Sequence, residues 1–329
     1  MENLYTVNYD GNDLYHFTIG SGGVPVLKRT YSGLPATPSA VSSDQTGRAI
    51  YVSYNSPAAI QVFRVEDASG DLTLVQTISA GLSASREPAT IDMQNRSLYQ
   101  VNGNDTISVF ALNDRGLLST VANSATTAAG AARFGAMHPS NQFFYSANLV
   151  ATGTISRHAV NSDASLALLG TTAVGGQNPS QLAFDRTGSN LYTTGFSAGE
   201  NIYSFQVNSA TGNLTALTPV TCGNSCYQTW VHPSNRFVFA GGTAGLLLYA
   251  RDGTTGQLSS LGVVSGPSFR ILTANAAGTF LHTIATGNPG TLRTFSVTPS
   301  GDGIALLYTQ NLGNCTTACG GALVTSYVY

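Results

Sequence analysis

Few side chains in this sequence can do chemistry, and arginine is prominent among them. Only 9% of the residues are charged, Lys28 is the single lysine, and 14 basic residues stand against 16 acidic ones. Arg133, Arg270 and the adjacent Arg86 and Glu87 therefore draw attention. A guanidinium presents its donors in a rigid fork that can polarise a carbonyl or hold an oxyanion. A carboxylate such as Glu87 can move a proton, provided its surroundings tune it. With the hydrogen-bonding groups of Tyr227 and Gln228, these give an expected catalytic set of Arg133, Arg270, Glu87, Tyr227 and Gln228. Arg86, Phe134, Gln181, Phe196, Trp230, Phe269, Asn102, Asn148 and Tyr54 are expected to bind substrate.

Other chemistries lack their motifs. The sequence shows no Ser/His/Asp arrangement, no glycine-rich phosphate loop and no His/carboxylate metal cluster, so neither cofactor nor metal is expected. His138 and His232 each precede Pro-Ser-Asn and read as turn residues, His158 and His282 fall in core columns, and His16 reads as a strand residue. The four cysteines form two short-range pairs, Cys222 with Cys226 and Cys315 with Cys319, read as local disulfides; free thiols and a four-cysteine zinc site are the alternatives.

The elements that hold these residues follow from a repeat. Tyr5, Tyr51, Tyr99, Tyr145, Tyr192, Phe239 and His282 form one column, spaced by about 47 residues. Phe17, Phe63, Phe110, His158, Phe205, Tyr249 and Phe295 form a second with the same period. Each unit reads as four short alternating strands between turns rich in Gly, Asn, Asp and Ser. In the fifth unit these are 180–184, 190–194, 202–207 and 214–218. A recurrent turn glycine, at Gly70, Gly116, Gly212 and Gly256, marks a backbone with positive φ. The expected fold is all-β: a seven-bladed β-propeller with four-stranded antiparallel blades.

The whole chain, 1–329, is expected to form one propeller domain. Its blades are placed at about 1–33 plus 320–329, 34–82, 83–129, 130–176, 177–223, 224–266 and 267–319. Leu4-Tyr5-Thr6-Val7 already matches a second strand, so the C-terminal run 321–328 is expected to supply the missing inner strand and close the ring. Aligned by repeat, Ser39, Glu87, Arg133, Ser180, Tyr227, Arg270 and Gly321 lead into the inner strands, around the mouth of the central channel. The ends of the second strands add Asn8, Tyr54, Asn55, Asn102, Asn148 and Phe196 to the same rim. Sites on rigid scaffolds gather on such loops.

The net charge of -2 supplies no basic field, which excludes nucleic acid and anionic membranes as partners and leaves a small molecule. A closed ring needs no second copy, so a monomer is expected. Sequons at Asn95, Asn104, Asn213 and Asn314, with the cysteine pairs and scarce lysine, point to a secretory route. The segment after Met1 lacks a charged and apolar leader, so any signal peptide is expected to have been removed.

The segment from Ala132-Arg133-Phe134-Gly135-Ala136-Met137-His138-Pro139-Ser140-Asn141 to Asn148 resembles a blade of the lactonase propeller family, which includes bacterial 6-phosphogluconolactonases and fungal carboxymuconate cyclases. His232-Pro233-Ser234-Asn235-Arg236-Phe237-Val238-Phe239 repeats it, and Asn102-Gly103-Asn104-Asp105-Thr106-Ile107 is similar to the family's third-blade loop. The family's Arg-His and Asn-Glu pairs are here Arg133-Phe134 and Asn148-Leu149, and Glu87 or Arg86 replaces its third-blade histidine. Carried over, the resemblance implies the arginine but not the acid–base residues.

The leading expectation is thus a non-hydrolytic cyclase acting on a partly apolar, oxygenated metabolite. The chain also resembles fungal propellers that catalyse hetero-Diels-Alder cycloadditions. Such chemistry relies on positioning more than on titratable groups. The alternatives are a lactone hydrolase using Glu87, Arg133 and Arg270, and a binding propeller without chemistry.

Overall fold

Short runs of β-branched and aromatic residues between tight turns make strands throughout, and no helix occurs among the described residues. The structure, a computed structural model, describes residues 2–66, 69–85, 87–121, 125–126, 132–197, 199, 201–223, 225–266, 269–313 and 322–326. Arg86, Cys315, Cys319 and Gly321 lie outside them.

Seven antiparallel sheets follow one another along the chain. The fourth blade is typical, with Ala132–Met137, Phe143–Asn148, Thr154–Val160 and Leu166–Ala173 paired in sequence order. In the third and fifth blades the outermost position is divided, between Leu118–Thr120 and Ala125–Thr126 and between Leu214–Ala216 and Val220–Thr221. The expected run 214–218 of the fifth blade is therefore shorter than read.

The first blade takes its inner strand from the far end of the chain. Ala322–Ser326 pairs antiparallel with Glu2–Asn8, in register from Thr6↔Ala322 to Glu2↔Ser326. Neighbouring inner strands touch around the whole circle, and Ala322–Ser326 lies against both Ile271–Ala274 of the last blade and Pro38–Ser43 of the second. Pairing the two ends removes a seam whose free edges would invite aggregation.

The first aromatic column joins the blades. Tyr5, Tyr51, Tyr99, Tyr145 and Tyr192 each donate a hydroxyl hydrogen bond, 2.6–3.1 Å long, to the carbonyl of Gly70, Gly116, Ala164, Gly212 and Gly256 respectively, in the outer turn of the next blade. Each acceptor residue has positive φ. Burial pushes the Tyr51 and Tyr145 hydroxyls well above the ordinary phenol range, so they remain protonated donors. Phe239 and His282, which continue the column, have no hydroxyl to give.

The second column sits at bulges. In five blades the register between third and fourth strand shifts immediately before the column residue, at Phe17, Phe63, His158, Tyr249 and Phe295. Between blades, these aromatics and their aliphatic neighbours fill separate wedge-shaped cores, such as that of Tyr145, Leu182, Leu191 and Phe205.

Candidate functional site

A second set of bulges shapes the rim. Where the inner strand begins, the ladder skips one residue: Ser39 between Pro38↔Tyr54 and Ala40↔Ser53, Arg133 between Ala132↔Asn148 and Phe134↔Ala147, and Tyr227 between Cys226↔Gly242 and Gln228↔Gly241. In the fifth blade Ser180 and Gln181 fall in the corresponding gap, between Pro179↔Gly195 and Leu182↔Thr193. A bulge turns a side chain out of the alternation and is a common way to aim it at a site. These are the lead-in positions picked out by the repeat.

Two clusters result. In the first, Arg133 Nε lies 3.2 Å from Glu87 Oε1, with the side chains 32% and 13% exposed. A pocket of about 220 Å³ adjoins them, lined by Asn55, Ala84, Ser85, Val101, Gly103 and Arg133. Gly103 is needed there because a Cβ would come within 2.7 Å of the Ala84 carbonyl oxygen. Gln100 holds the Glu87 loop, its Nε2 donating to Ser85 Oγ at 2.8 Å and to the Glu87 carbonyl at 3.3 Å. Sequence reasoning missed Gln100. Its signal was a long amide on a strand position that the other blades fill with Thr6, Val52, Ser146, Thr193, Ala240 or Thr283.

In the second cluster the Arg270 guanidinium lies over the Tyr227 ring, 4.8 Å from its centroid. The Phe196 ring stands 5.2 Å from that of Tyr227, and Phe196 is 37% exposed. Tyr227 follows directly on the Cys222–Cys226 disulfide, whose two cysteines are fully buried. The other expected disulfide, Cys315 with Cys319, and the candidate Arg86 fall outside the described residues.

The remaining expected site residues are occupied elsewhere. Gln181 Oε1 accepts from Thr229 N–H and Gln228 Oε1 from Leu272 N–H, so each glutamine stitches its inner strand to the next blade. Ser39 and Ser180 meet the Ser85 and Tyr227 carbonyls of the following blade in the same way. Asn102 and Asn148 are fully buried loop fasteners, donating to Thr106 and Ser108 and to Thr154 and Ser156. Tyr54 is core, its hydroxyl bonded to Gln61.

The substrate contacts expected of the aromatic residues Phe134, Trp230 and Phe269 are corrected too. Phe134 packs into the core between the fourth and fifth blades. Trp230 stands 5.5 Å from both Phe239 and His232 in the core between the sixth and seventh. Phe269 is fully buried against Phe295. Phe134 and Trp230 stand one and three places beyond a lead-in residue, an odd offset that puts them on the opposite face of the strand, and Phe269 lies just before Arg270.

The histidines sit apart from both clusters. His138 and His232 bond Ser140 and Ser234 within their turns, and His282 Nδ1 meets Thr294. Burial drives the His282 pKa down to about 4, and His16, beside Lys28, falls to about 4 for the same leading reason. Among the described residues no group of three His, Cys, Asp or Glu could hold a metal ion.

Set beside known proteins, residues 6–130 and 136–226 match the profile of the family described as lactonase, 7-bladed beta-propeller. A 6-phosphogluconolactonase of Cronobacter sakazakii is 32% identical over 118 residues, covering 35% of this chain and 34% of that relative. The match thus spans about a third of the relative's length. The periplasmic gluconolactonase of Pseudomonas aeruginosa superposes over 99% of both chains with a TM-score of 0.80 at 15% identity. A Bacteroides uniformis protein, provisionally assigned as a 6-phosphogluconolactonase, covers 97% of this chain and 98% of its own with a TM-score of 0.83 at 16% identity. At those identities the solved structures speak for the fold.

Proposed function

The chain belongs to the lactonase family of seven-bladed β-propellers, and we propose that it hydrolyses a lactone at the mouth of its channel. The Glu87–Arg133 pair beside the 220 Å³ pocket is the observation that carries this reading. It replaces the cyclisation expected first. That reading needed aromatic walls at the mouth, and Phe134, Trp230 and Phe269 pack between blades instead.

In the proposed reaction the Glu87 carboxylate takes a proton from water as the water oxygen attacks the lactone carbonyl. Arg133 donates to the oxyanion that forms, acting where charge develops. Collapse breaks the ring C–O bond, and the alkoxide leaving group recovers the proton from Glu87. The product is the open hydroxy acid. Gln100 acts as a positioning residue, fixing the loop that bears the base. Lactones of the gluconolactone type suit the small pocket and match the substrates named for the relatives.

Ring opening releases acid, so the test is base uptake at constant pH with gluconolactone-type and aryl lactones. Glu87→Gln is expected to lower kcat by at least about 100-fold, in the range of lost general-base catalysis. Arg133→Ala should lower kcat/KM. Undiminished turnover in both variants, or an inert wild-type protein, would remove the reading.

A further inference from the structure

The second cluster has a different chemical character from the first. Arg133 is matched by Glu87, and Arg251 by Asp185 at 2.8 Å, but no acceptor meets the Arg270 guanidinium among the described residues. Its guanidinium instead rests over the Tyr227 ring, a contact that engages no carbonyl or carboxylate, so its N–H donors can serve a ligand.

The surroundings are rigid. Arg270 N–H bonds the Ile284 carbonyl, Phe196 N–H bonds the Asn178 carbonyl, and Ser180 Oγ bonds the Tyr227 carbonyl. The Cys222–Cys226 bridge anchors the chain just before Tyr227. Phe196 is the one aromatic residue among the exposed large apolar side chains of the described residues. A fixed cation and an exposed ring, both held against Tyr227, are complementary to an anion carried on an apolar or planar body.

We propose that Arg270, seated on Tyr227, receives an oxyanion of the ligand, a carboxylate or phosphate remote from the reacting carbonyl, and that Phe196 covers the apolar portion next to it. As a statement about substrate, this rests on the lactone reading; as a binding site, it stands without turnover. Arg270 then decides which lactones are accepted, while Glu87 and Arg133 perform the chemistry.

The test is calorimetric titration of the full chain with phenylacetate, phenyl phosphate and the neutral benzyl alcohol. At least one aryl anion should bind, with affinity reduced 10-fold or more in Arg270→Gln and reduced by salt in the wild-type protein, and the two anions show which oxyanion is preferred. Benzyl alcohol should bind no better than the variant binds the anions. Should Arg270→Gln fail to fold, the salt dependence and the anion-over-alcohol preference in the wild-type protein decide. Failure of both anions to bind, equal affinity in wild type and Arg270→Gln, or equal affinity for benzyl alcohol would overturn the proposal. A protein that binds the anions but opens no lactone would sink the hydrolase reading and leave Arg270's role intact.

Discussion

Arg251 shows what a paired arginine does in this chain. It is buried, and its guanidinium spans Asp185, Asn190, Tyr192 and the Asn235 carbonyl, tying the fifth blade to the sixth. Arg251→Ala would strand the Asp185 charge and is expected to destabilise by about 3–5 kcal/mol, read from denaturant melts. His16 and His282 add a dependence on pH. Both have folded pKa values near 4 against an ordinary 6.5, so the unfolded chain takes up protons first as pH falls. Their contribution is complete above pH 6.5 and is lost between 6.5 and about 4, at about 2 kcal/mol each by pH 5. Melting temperature should drop between pH 7 and pH 5, and His282→Gln should flatten part of that slope.

At the scale of strands and turns, the repeat made the architecture legible, because aromatic columns and turn glycines recur wherever a blade must pack on the next. The rim was only partly legible. Arg133 and Tyr227 could be found by alignment, yet their neighbours Phe134 and Gln228 could not be assigned a face, since one unpaired residue reverses the alternation. Asn102 and Asn148 looked like ligand groups because a buried loop fastener and a binding residue share the same chemistry. Turn chemistry gives a sharper contrast. Gly256 and Gly33 both have positive φ, but a Cβ at Gly256 would strike Asn190 at 2.1 Å, whereas none of the described atoms lies within 4 Å at Gly33. Gly33→Ala should cost about 1 kcal/mol, and Gly256→Ala at least about 2 kcal/mol, measured by thermal melts. Ala164, with a φ of 68°, occupies the position where other blades have glycine, and Ala164→Gly should stabilise by up to about 1 kcal/mol.

For the molecule as a whole, closure by Ala322–Ser326 makes stability a property of the ring. Removing residues 320–329 would expose the edge of Glu2–Asn8 and should yield insoluble protein; a soluble truncation with a cooperative melt would contradict this. The tyrosine hydroxyls are distributed unevenly around that ring. Those of the first column rivet the first blade to the second and so on through the sixth, whereas the seventh blade is reached by Tyr15 of the first blade, which donates to the Leu312 carbonyl at 3.0 Å. Six blades therefore share one repeated fastening, and the seventh is tied in by bonds of its own, Leu272 N–H to Gln228 on the side of the sixth blade and Asn275 to Glu2 on the side of the first. Phe239→Tyr offers a way to extend the repeated fastening to the joint between the sixth and seventh blades, and a raised melting temperature would show that it formed. Because the ring's clasp is a single sheet shared by the first and last residues of the chain, the circle is complete only when the whole chain is present.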